Sequence, residues 1–156
     1  MTTPASELWP EKLLQDYMLL VSAQRWDEWI DLWAEDGVLE FPYAPPGRRS
    51  SYAGKADILA YMKPTAGRLD IDTLEYFDVH PMLDPTTCCF EMAVKGRIAA
   101  TGVPFQQKYI SIVETRDGKI SRYREYWNPV VSIAANGSLE AWAAAFGNPM
   151  SDEVVA

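Results

Sequence analysis

The chain has 156 residues, 48% of them apolar and 12% aromatic, which is enough for a domain with its own core and excludes a disordered chain. A net charge of −8 with no basic run excludes a phosphate-binding surface, so no nucleic-acid partner is expected. Two adjacent cysteines, Cys88 and Cys89, and a single histidine supply neither a disulfide framework nor a zinc set. No metal is therefore expected.

Residues 1–4 lack the basic start and apolar run of a signal peptide, and no membrane span is visible, so a cytoplasmic protein is expected. Next, Leu14, Tyr17, Met18 and Val21 recur at the helical period, and so do Trp26, Trp29, Ile30 and Trp33. Each set predicts a helix with one buried face, with a break at Ser22, Ala23 and Gln24. Asp36 and Gly37 are expected to end the second helix, and 38–41 reads as a short strand. Pro42, Pro45, Pro46 and Gly47 predict a stiff loop. A third helix is expected over 55–62, ended by Pro64 and Gly67.

From residue 69 the pattern turns to β. Segments 69–79, 86–98, 105–115 and 119–127 are rich in β-branched and aromatic residues. Turn signals at Asp84-Pro85, Gly102 to Pro104 and Asp117-Gly118 separate them. A short Ala-rich helix is expected over 139–146, and the residues from Ser151 are expected to fray. Three helices followed by an antiparallel meander predict one α+β domain over 1–156.

Strand alternation picks an inner face. Phe90, Met92 and Val94 share one side, with Glu91, Ala93, Lys95 and Arg97 opposite. On the last strand, Ser121, Tyr123, Glu125 and Trp127 share a face, with Ile120, Arg122, Arg124 and Tyr126 opposite. The two arginines mark the second set as outer. Glu125 then points inward between aromatic rings, where desolvation raises a carboxyl toward the range useful for acid–base work. For 107–113 the pattern does not choose between Gln107, Tyr109, Ser111, Val113 and the alternate residues.

The segment from Leu32 to Gly37, the helix start at Gly54-Lys55-Ala56, and the ending Asp117-Gly118-Lys119-Ile120 with Arg124-Glu125-Tyr126-Trp127-Asn128-Pro129 resemble the nuclear transport factor 2-like superfamily. The SnoaL-like and phenazine-biosynthesis A/B branch is the most similar. The resemblance covers about residues 8–130 and leaves 131–156 as a packing segment or lid. It implies a cone: a strongly curved, mostly antiparallel sheet wrapped by three helices from the N-terminal half around one pocket.

The same resemblance carries over residue by residue. Tyr17 matches the oxyanion tyrosine of steroid isomerase, whereas Phe41 stands at its general-base aspartate and Ser111 near its second aspartate. Met92 and Val94 stand where limonene epoxide hydrolase has an arginine and an aspartate, so that set is incomplete. Glu125 matches an acid–base position in both the epoxide hydrolase and the phenazine A/B pattern. Tyr61 stands near the phenazine pocket histidine. Leu39, Phe41, Tyr109 and Ser111 match pocket-wall positions.

The candidate catalytic residues are therefore Glu125, as acid–base, and Tyr17, as hydroxyl donor. Candidate substrate-binding residues are Leu39, Phe41, Tyr61, Phe90, Met92, Val94, Tyr109, Ser111, Tyr123 and Trp127. The expected function is cofactor-free isomerisation, dehydration, cyclisation or condensation of a small hydrophobic molecule. A non-catalytic ligand-binding or adaptor domain is the first alternative, and epoxide hydrolysis the second. His80, before Pro81, reads as rim or surface. Ile110, Ile112, Ile120 and Tyr126 form an apolar outer face, on which a homodimer is expected.

Overall fold

The computed structural model describes residues 11–45 and 48–145. The expectations for residues 1–4, for Pro46 and Gly47, and for the tail from Ser151 lie outside them. In chain order the elements are α1 (Glu11–Ser22), α2 (Trp26–Ile30), β1 (Trp33–Glu40), β2 (Ser51–Ala53), α3 (Lys55–Ala66), β3 (Leu69–Pro81), β4 (Thr87–Ile98), β5 (Pro104–Arg116), β6 (Lys119–Trp127), α4 (Pro129–Ala135) and α5 (Leu139–Ala145). The strands form one curved, unclosed sheet in the order β2-β1-β6-β5-β4-β3. Among the described residues only β1 and β6 pair in parallel. The architecture is the α+β cone expected, with α1 to α3 in the N-terminal half.

The curvature has local causes. Register irregularities interrupt β3 twice, the β5–β6 ladder between Glu114 and Thr115, and the β1–β6 ladder between Trp33 and Val38. Each bulge bends its strand and increases twist. Gly96 marks another bend: a Cβ there would lie 2.1 Å from the Asp70 carbonyl oxygen, so only glycine lets β3 approach so closely. The β5–β6 hairpin turns through Asp117 (φ 52°) and Gly118 (φ 74°), the left-handed pair that matches strand twist.

Three expectations need correction. Trp33 is not on the second helix. α2 stops at Ile30, and Trp33 opens β1 opposite Ile120, because the Leu32 carbonyl accepts the Ile120 amide at 2.8 Å. The strand delivers the indole to the same core that a longer helix would have reached. Next, α3 runs through Pro64 to Ala66; in the last turn a proline removes only one helical hydrogen bond. Finally, Ile120 is fully buried rather than outer. Ser121 is the extra residue of the β6 bulge, so the alternation read from Arg122 onward is reset before it.

Two elements were not foreseen. β2 forms beside β1 after the proline loop. α4 begins at Asn128, whose side chain accepts the Val130 amide at 3.0 Å, with Pro129 in the first turn. The buried Gln107 amide donates to the Asn128 carbonyl at 2.9 Å and accepts from its N–H at 3.3 Å, anchoring α4 to β5. Among the described residues no helix is long and apolar enough to cross a membrane.

Candidate active site

Cross-strand register lays the inner face out in rows. Cys88, Val113, Tyr123 and Leu39 make the deepest row, and each is almost fully buried. Phe90, Ser111 and Glu125 follow, then Met92, Tyr109 and Trp127. The undecided strand 107–113 thus turns Gln107, Tyr109, Ser111 and Val113 inward. Over the deepest row pack rings from α1, α2 and the start of β1. Tyr17 stacks on Tyr123 at 5.1 Å between centroids and meets Trp29 edge-on at 5.3 Å, while Trp33 lies 6.1 Å from Tyr123. These rings fill the closed end of the cone. Beyond them the packing stops and a cavity begins.

That cavity holds about 420 Å³. Its wall includes Tyr17, Leu39, Phe41, Tyr61, Tyr109 and Glu125, with Met92 and Val94 on the sheet side. Exposed Ser22, Gln24 and Asp70 mark its mouth. A second cavity of about 250 Å³ lies toward α4 and α5 and includes Trp127 in its wall. Glu125, Tyr61, Thr65, Leu69 and Tyr109 line both, so Glu125 stands on the partition. Phe90, Ser111 and Tyr123, expected on the wall, line neither cavity. All three are buried, Phe90 against Phe77 at 5.0 Å, Tyr123 against Tyr17, and Ser111 on β5 between Phe90 and Glu125 in the register.

Glu125 is half-buried by area, and the surface left to it faces the cavities it lines. It makes no hydrogen bond or ion pair among the described residues. The nearby arginines of its own strand turn outward: Arg122 bonds Glu40 at 2.7 Å, and Arg124 reaches Glu114 at 3.5 Å. Burial alone lifts the Glu125 carboxyl from its ordinary 4.5 to about 7. Burial likewise pushes the Tyr17, Tyr61, Tyr109 and Tyr123 hydroxyls upward, and the Glu125 charge adds to each. Four neutral phenols thus surround one carboxyl that changes charge near neutrality.

The Tyr17, Tyr123 and Ser111 hydroxyls are polar neighbours that offset part of this effect on Tyr17 and Tyr123. None of these approaches has hydrogen-bond geometry, and Tyr123 Oη and Ser111 Oγ remain buried without a partner among the described residues. Tyr17 is the one of the three that reaches the cavity wall.

One residue escaped the sequence reading. Arg48, after the proline loop, is buried on the wall of the second cavity. Its guanidinium lies 4.9 Å from the Trp142 ring centroid and 5.7 Å from that of Tyr61, and its Nη2 donates to Tyr61 Oη at 3.3 Å. An arginine beside a loop carries no sequence signal of burial. The Asn128-Pro129 helix start, which brings the α4–α5 side of this cavity into place, did carry one. His80 is exposed and bonds Glu91 at 2.8 Å; it lines neither cavity. Cys88 is buried and Cys89 half-buried, both as free thiols. No group of three potential metal ligands occurs among the described residues.

The family profile for the SnoaL-like domain matches residues 14–123. The protein YesE of Bacillus subtilis, itself uncharacterized, is 39% identical over 124 residues, 80% of this chain and 84% of that one. An uncharacterized PhzA/B-like protein of Pseudomonas aeruginosa is 39% identical over 117 residues, 74% of this chain and 81% of that one. Among solved structures, a Bacillus subtilis protein described as a candidate isomerase superposes with a TM-score of 0.79 at 36% identity, covering 86% of this chain and 96% of that one.

Proposed function

The chain belongs to the SnoaL-like domain family, and from that premise we propose that it is a cofactor-independent enzyme moving a proton on a small hydrophobic molecule. The observation that carries this reading is Glu125: a carboxyl on the partition of two cavities, without a partner among the described residues, raised by burial to about 7. A group half-charged near neutral pH serves equally as acid and base. Tyr17 is the hydroxyl that donates to a developing oxyanion or enolate, because it lies on the same wall and stays protonated. Tyr61 and Tyr109 are further donors there. The apolar wall of Leu39, Phe41, Met92 and Val94 excludes water and selects an apolar substrate. Isomerisation, dehydration, cyclisation and condensation all fit a site of this kind.

The test is solvent-deuterium exchange at the α-carbon of bicyclic ketones, 2-tetralone among them, followed by NMR. Wild-type protein is expected to accelerate exchange over buffer, and Glu125→Gln to abolish the acceleration while retaining ketone binding. Ketone binding without any Glu125-dependent exchange across the panel favours a ligand-binding domain.

We also propose a homodimer through the outer sheet face. Tyr43, Tyr76, Ile110 and Tyr126 border an open apolar groove there, with Ile110 43% exposed. Without the buried Ile120 the face is smaller than the strand pattern suggested. Sedimentation velocity is expected to give twice the 17.6 kDa chain mass; a monomer at micromolar concentration would remove this proposal.

A further inference from the structure

All 14 lysines and arginines of the chain, and its one histidine, lie within the described residues. None of them lines the larger cavity, whose only charged wall residues are Glu125 and, at the mouth, Asp70. The cations closest to Glu125 along the chain, Arg122 and Arg124, pair with Glu40 and Glu114 on the outer face. Arg48, on the wall of the second cavity, is engaged with Tyr61 and Trp142. Burial is the one cause that moves the Glu125 carboxyl, with no cation contributing. No side chain of this protein therefore supplies a counter-ion to Glu125.

The cavity beside that carboxyl is lined by rings. Tyr17, Phe41, Tyr61 and Tyr109 stand on the same wall, and the Glu125 charge acts on the three phenols. Aromatic faces attract a cation, and more strongly where water is excluded. A buried carboxylate is costly alone, and only a partner of opposite charge offsets that cost. A bound anion would instead meet Glu125 with no cation on the wall to relieve the repulsion. The net charge of −8 acts in the same direction at long range, drawing cations toward the molecule.

We propose that the substrate is a small hydrophobic amine, bound with its ammonium against Glu125 among these rings and its apolar body against Leu39, Met92 and Val94. This rests on the reading of the cavity as the substrate site and deepens it by naming the substrate class. The proton that Glu125 moves is then the one on nitrogen. An N–H bond breaks, the carboxyl O–H forms, and a neutral amine with a free electron pair remains in an apolar cavity. The groups that face Glu125 leave this titration to it. Tyr17 of α1, Tyr61 of α3, Tyr109 of β5 and Tyr123 of β6 are phenols that burial keeps neutral. The Arg48 guanidinium stands beyond Tyr61, and Asp70 of β3 stands at the mouth.

The test titrates 2-aminotetralin, 2-tetralol and tetralin-2-carboxylate calorimetrically into the full chain at about pH 5.5 and about pH 8, on either side of the Glu125 titration. At the higher pH the amine is expected to bind at least roughly tenfold more tightly than the alcohol, and the carboxylate most weakly. Amine affinity is expected to rise roughly tenfold or more between the two pH values, as Glu125 loses its proton, while alcohol affinity does not rise. Glu125→Gln is expected to remove both the preference and its pH dependence and to keep alcohol binding, which reports an intact cavity. Asp70→Asn is expected to leave the preference in place. Equal affinity for amine and alcohol, no binding of the amine, no rise with pH in the wild type, or a preference lost in Asp70→Asn but kept in Glu125→Gln overturns the proposal. Glu125-dependent ketone exchange alongside equal amine and alcohol affinity sinks this proposal alone. Retained amine preference without such exchange sinks the catalytic reading of ketones alone.

Discussion

Three glutamates stand on neighbouring strands of one sheet and live in different worlds. On the outer face Glu40 of β1 and Glu114 of β5 share Arg122, and Glu114 also meets Arg124. On the inner face Glu125 of β6 has aromatic rings and cavity in place of a cation. The alternation of β6 causes both outcomes at once: turning Arg122 and Arg124 outward leaves Glu125 inward without them. The same residue type is a solvated structural charge on one side and a titrating group on the other. Position on the pleat decides which.

The harshest way to break this comparison is to remove each charge in turn. Glu125→Gln is expected to lower proton-exchange turnover by about a thousandfold or more, the scale of a lost acid–base group. Glu40→Gln is expected to leave it within about twofold, since a surface ion pair contributes little and lies on the far face. Comparable losses in both variants would erase the distinction between the faces.

Stability against pH sharpens it further. The folded pKa of Glu125 is raised above its unfolded value, so its contribution is fully present below about 4.5 and is lost as pH rises through about 7. Glu125→Gln removes that dependence. The variant should therefore gain on wild type by up to about 3 kcal/mol between those limits, read from urea midpoints across the range. A difference that does not change with pH would mean that Glu125 is solvated. A smaller effect is expected from Tyr17→Phe: a loss of about tenfold to a hundredfold in kcat with ligand affinity held, as for one donor to a developing charge. A loss confined to KM would make Tyr17 a wall residue only. The smallest expected change is in Arg122→Ala, a 43%-exposed arginine, at about 1 kcal/mol or less and screened by salt.

Much of this was legible in the chain because it follows from periodicity. The meander, the Asp117-Gly118 turn, and the inward side of Phe90, Met92, Val94, Tyr123 and Glu125 depend only on period two and on turn chemistry. Where a bulge adds a residue the period fails, and Ile120 was read on the wrong face for that reason. Trp33 was misread because aromatic residues at helical spacing also suit a short helix followed by a strand into the same core. Phe90, Ser111 and Tyr123 face inward yet are buried short of either cavity, since facing the core and lining a cavity differ by one layer of packing. The second cavity escaped notice altogether, as a buried Arg48 and the partition between the cavities depend on contacts between distant segments.

The central claim is that the inner-face carboxyl titrates near neutrality because burial, not a partner, sets its charge. It is tested by following the Glu125 carboxyl carbon by NMR from acid to alkaline pH, with Glu125→Gln to assign the signal. The account predicts a midpoint at about 7. A midpoint near the ordinary 4.5 would contradict it and would leave the cavity as a site for binding alone.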